Sequence, residues 1–60
     1  MTDRQFKEVH EQLPDGTKVL RAYRALEGDI RVIVRLPGEE RETRYTVRFE
    51  GDYPHLRHMP

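Results

Sequence analysis

The side chains most able to do chemistry in this chain are arginines. In "IRVIVRLPGEERETRYTVRF", residues 30–49, Arg31, Arg35, Arg41, Arg44 and Arg48 fall along the pattern of a β-hairpin. A guanidinium is a rigid fork of donors suited to carboxylates and phosphates. The same residue type also solvates the outer side of a small sheet, so the neighbours of each arginine decide between the two roles.

Three further groups invite a chemical reading. His55 and His58 form His-x-x-His, and His10 lies on a helical stretch. A metal site needs three or four ligands held together, and Asp52 is the one acidic residue near the pair, so surface histidines are expected and no metal. Glu39, Glu40 and Glu42, interrupted by Arg41, read as a solvated hairpin tip. General acid–base work needs a carboxylate in a pocket that shifts its pKa, which so short a chain seldom encloses. No serine is present, which excludes Ser-His-Asp catalysis, and phosphate- and dinucleotide-binding motifs are absent. The expectation is a protein that is not an enzyme, with no cofactor and no small-molecule substrate.

Four elements must position these groups. "TDRQFKEVHEQL" opens with Thr2 and Gln5 in capping-box spacing, and Phe6, Val9, His10 and Leu13 form one stripe of an amphipathic helix over 2–13. "PDG" at 14–16 ends it. Strands follow at 18–26, 30–36 and 42–50. "EGD" (27–29) and "PGEE" (37–40) connect them as hairpins. The fold class is α+β: an N-terminal amphipathic helix packed on a three-stranded antiparallel meander (αβββ). The tail 51–60 is read as an irregular strap or single helical turn. The whole, residues 1–60, is one small domain.

Hairpin register settles the arginines' neighbours. With Val32 opposite Tyr45 and Ile30 opposite Val47, the outer face pairs Arg35 with Glu42, Asp29 with Arg48, Ile33 with Arg44 and Arg31 with Thr46. The loop is then Pro37 to Glu40, a type I turn with Pro at its second position. Slipping by two residues instead sets Arg35 against Arg44 and Arg31 against Arg48. Like charges directly opposite are unfavourable, so the first register is expected.

The strand at 18–26 has no clean face. Leu20, Ala22, Arg24 and Leu26 alternate with Val19, Arg21, Tyr23 and Ala25. Either set leaves apolar side chains on the open side beside Ile33. Tyr23, Arg31, Ile33, Arg35, Arg44 and Arg48 are therefore the candidate binding residues, an apolar centre ringed by arginine as at protein interfaces.

Composition narrows the partner. Of the residues 35% are apolar and 37% charged, so the core is thin, and without cysteine no disulfide staples it. A domain of this kind gains stability by docking, on another protein or on a second copy as a homodimer. Formal net charge is zero, with residues 1–16 at −2 and 17–50 at +2. No membrane span or signal peptide is visible, so a cytoplasmic location is expected. The leading reading is a small regulator, inhibitor or antitoxin-like partner acting by protein–protein contact. The alternative is nucleic-acid binding through the same arginines. An αβββ order also opens double-stranded-RNA-binding domains, but their basic closing helix is missing here, and no family is recognised.

Overall fold

In a computed structural model describing residues 1–60, the helix α1 spans Asp3–Gln12. Thr2 caps it: its Oγ1 accepts from the Gln5 N–H at 3.1 Å, and the Thr2 N–H donates to Gln5 Oε1 at 3.0 Å. The other end of the same amide donates to the Gly51 carbonyl at 3.3 Å. That bond ties the start of the helix to the sheet, and burial of Val9 and Leu13 turns the line Gln5–Val9–Leu13 toward it. Phe6 and His10, expected in the buried stripe, lie on the adjacent line instead. Both are exposed and meet edge to face at 5.8 Å.

Four strands follow, not three: β1 at Lys18–Arg24, β2 at Ile30–Arg35, β3 at Thr43–Glu50 and β4 at Tyr53–Met59. They lie in chain order in one antiparallel sheet. The expected register of β2 on β3 is present, with Val32 opposite Tyr45, Ile30 opposite Val47 and Ile33 opposite Arg44. The turn after β2 differs from the expected type I. The Glu39 N–H donates to the Leu36 carbonyl at 3.1 Å, and Gly38 between them has φ +79°. Pro37 followed by a glycine at positive φ is type II geometry.

The tail is the larger correction. Glu50 pairs with Tyr53 across Gly51-Asp52, a two-residue hairpin with Gly51 at φ +62° and no positive φ at Asp52. Glycine first is the signature of a type II′ turn, whose twist matches the flanking strands. Pro54 is tolerated because β4 is an edge strand. Counting from the Glu50–Tyr53 pair, Pro54 falls where backbone groups point away from β3, so its missing N–H breaks no rung.

The indecisive pattern at 18–26 is a β-bulge. Val19 pairs with Val34 and Arg21 with Ile33, so Leu20 is the extra residue and the two faces exchange across it. Val19, Ala22 and Arg24 therefore lie on the helix side, and Lys18, Arg21 and Tyr23 on the open side. Neither unbroken alternation describes this strand, which ends at Arg24; Leu26 is fully exposed in the turn.

Val9 and Leu13 pack on Val32, Val34 and Val47, with Ile30, Tyr45, Phe49 and Leu56 around them. Only 8 of 60 residues are buried, so each core valine carries a large share of the stability, about 1.5–3 kcal/mol on full burial. No helix is long and apolar enough to cross a membrane.

Candidate binding face

Strand pairing arranges the open face of the sheet in rows. One runs Arg21–Ile33–Arg44–Met59 and the next Tyr23–Arg31–Thr46–Arg57. Arg35 sits opposite Lys18, and Arg48 opposite His55. All six residues singled out from the sequence (Tyr23, Arg31, Ile33, Arg35, Arg44 and Arg48) share this face.

Ile33 does not form the exposed apolar centre expected of it. It is 2% exposed although no element lies over this side of the sheet. Its neighbours on the face are Arg21 and Arg44 in its own row and Arg31 and Arg35 along its strand, and with no element above it these long side chains are the groups placed to cover it. Arginine can bury its methylenes in this way while its head stays in water. The face is thus apolar underneath and cationic on top.

Some of those heads are neutralised. Arg31 Nη2 meets Glu27 Oε1 at 2.6 Å, and Arg48 Nε lies 3.9 Å from Asp29 Oδ1. Arg31 Nε is buried and has no hydrogen-bond partner. Lys18, Arg21, Arg35, Arg44 and Arg57 have no carboxylate at ion-pair distance. The pairing of Arg35 with Glu42 expected from register is not made as an ion pair. Asp3, Glu8, Glu11 and Asp15 against Arg4 and Lys7 leave the helix and the turn that follows it at −2, so the zero net charge conceals an uneven distribution.

Exposed rings flank the cations. Tyr23 is 45% exposed on β1. Across the sheet Tyr53 and His55 meet edge to face at 5.1 Å, and His55 Nε2 lies 3.1 Å from Glu50 Oε1. A shallow depression bordered by Asp29, Thr46, Arg48, His55 and Arg57 lies between them. His58, three residues along an extended strand, falls on the opposite face beside Tyr45 at 5.7 Å. His55 and His58 therefore cannot share one ion.

Arg57, His55, Tyr53 and Met59 join the face only because β4 exists, and reading the tail as irregular left them out. The signal was Gly51-Asp52, a glycine-first pair of the type that closes two-residue hairpins. Chemically, the face can make several charge-assisted contacts to an anionic surface at once. No protein-family model, no curated protein and no solved structure matches the chain.

Proposed function

We propose that this chain is a small non-enzymatic binding protein that acts by contact with another protein, as a regulator, inhibitor or antitoxin-like partner. The open sheet face is its contact surface. The observation that carries this reading is the set of cations without carboxylate partners around a sealed Ile33. Partner carboxylates would complete them.

Two features favour a protein over a nucleic acid. Interfaces between proteins enrich arginine, tyrosine and methionine and deplete lysine; here Lys18 stands alone among arginines, with Tyr23 and Met59 on the same face. The chain also carries no net charge, so its steering toward a polyanion is weaker than that of a basic protein. A second reading, nucleic-acid binding, is supported by Tyr23, Tyr53 and His55, which lie beside the unpaired guanidiniums as stacking surfaces.

The test is the variant Arg44→Glu with Arg57→Glu, both exposed and both outside the core. Proteins captured by the native chain should be lost by the variant, whose circular dichroism is unchanged. Unchanged capture would reject the reading. An oligonucleotide pool run alongside at several salt concentrations reports the alternative. A log–log slope of about −0.7 to −0.9 per phosphate contacted would establish nucleic acid in place of protein.

A further inference from the structure

The two edges of the sheet, β1 and β4, are treated differently. β4 is protected: Pro54 has no N–H, its outward carbonyl accepts from Gln12 Nε2 at 2.9 Å, and α1 lies against the strand. β1 has no such cover. Every residue of Lys18–Arg24 except Val19 is exposed, and no side chain bonds to its backbone.

The outward groups can be assigned. The Ala25 N–H donates to the Asp29 carbonyl at 2.7 Å, which fixes the hydrogen-bonded pair at the mouth of the first hairpin. Alternation then points the N–H and C=O of Arg24 and Ala22 away from β2. Beside them lies a depression formed by Met1, Ala22, Tyr23, Arg24 and Ile30, hydrophobic residues apart from Arg24. The strand itself carries Lys18, Arg21 and Arg24 and no acidic residue.

We propose that the β1 edge receives an extended acidic segment of the partner protein as a fifth strand. Its backbone would pair with Ala22 and Arg24, its carboxylates would lie beside Arg21 and Lys18, and a small apolar side chain would enter the depression by Ile30. Strand addition takes affinity from main-chain hydrogen bonds and specificity from alternate side chains, and this edge offers both. A second copy is a poor occupant. β1 laid on β1 gathers two sets of Lys18, Arg21 and Arg24 along one seam with no acidic residue of either strand between them, the kind of charge that keeps edges apart. The inference rests on the protein-contact reading and names the kind of segment that would be bound.

The experiment is amide hydrogen exchange on the full chain, with a short peptide alternating glutamate and valine as the probe and its lysine–valine counterpart as control. The acidic peptide should slow exchange at Ala22 and Arg24 by about tenfold or more at saturation, equivalent to about 1.4 kcal/mol. The basic peptide should leave both amides unchanged. Ala22→Pro removes an outward N–H without touching the ladder to β2, and should abolish the protection. Arg21→Glu with Arg24→Glu should do the same if the proline variant does not fold. Absence of protection at Ala22 and Arg24 overturns the proposal, as does an Ala22→Pro variant that still binds, or β1-mediated dimers in light scattering. Protection confined to the surroundings of Arg44 and Arg57 would overturn the edge proposal while leaving the open-face reading standing.

Discussion

Ile33 lies directly opposite Arg44 in the β2–β3 ladder, and it is 2% exposed on a face that no other element covers. An isoleucine on the solvent side of a sheet is thus part of a second, smaller apolar layer roofed by arginine stems. Ile33→Ala should cost about 2–5 kcal/mol, the range for truncating a buried isoleucine. Arg44→Ala should cost about 1 kcal/mol or less, through lost cover and not lost charge. Urea unfolding of both variants, followed by circular dichroism, checks the order. Equal and small effects would mean that Ile33 is not sealed.

The β3–β4 hairpin depends on Gly51. Its φ of +62° is unfavourable for a residue with a side chain, and a Cβ placed there meets nothing within 4 Å. Gly51→Ala should therefore destabilise by about 1–2 kcal/mol on conformational grounds alone. Thermal melts compare it with Asp52→Ala in the same turn, which should change little.

Thr2 holds the start of α1 through the reciprocal bonds with Gln5. Thr2→Ala should cost about 1 kcal/mol, within the range for a lost N-cap. Thr2→Ser should restore most of it. Chemical denaturation of the pair separates capping from any effect of surface polarity.

Asp29 is the acidic neighbour of Arg48 on the open face, at 3.9 Å, with the arginine side chain 80% exposed. Exposed pairs of this kind contribute about 0–1 kcal/mol, so Asp29→Asn should barely move stability. It should strengthen binding to an acidic partner, because Arg48 then joins the unpaired set. Weaker binding by this variant would show that Asp29 itself contacts the partner.

Much of this architecture was legible in the residues, for reasons that can be named. The capping box, the β2–β3 register and the shared face of Arg31, Ile33, Arg35, Arg44 and Arg48 all rest on local spacing or on avoidance of like-charge neighbours, while spacing leaves the face of Tyr23 open. What was not legible rests on exceptions to periodicity. A bulge at Leu20 exchanges the faces of β1 in mid-strand, and alternation counted from either end then fails at the other. A proline fits poorly within a sheet, yet at this edge position the missing N–H of Pro54 costs no rung, and the Gly51-Asp52 turn was the stronger signal. Phe6 has the right helical spacing for the core and misses it because the helix buries the line through Val9 and Leu13 instead. The burial of Ile33 follows from neither propensity nor pattern, because a binary apolar/polar reading treats the long arginine side chains beside it as polar.

The strands pair in the order in which they occur, so each hairpin closes over a short loop and can zip without waiting for distant chain. The bonds from Gln5 to Gly51 and from Gln12 to Pro54 are different, spanning 46 and 42 positions. They act as a clasp, joining the first element to the last after the meander has formed. Closing such long loops belongs late on the folding route. Loosening the clasp, as in Gln12→Ala, should therefore quicken unfolding while leaving the folding rate almost unchanged. Two glutamine amides then add to the lifetime of a native state that the valine core holds together.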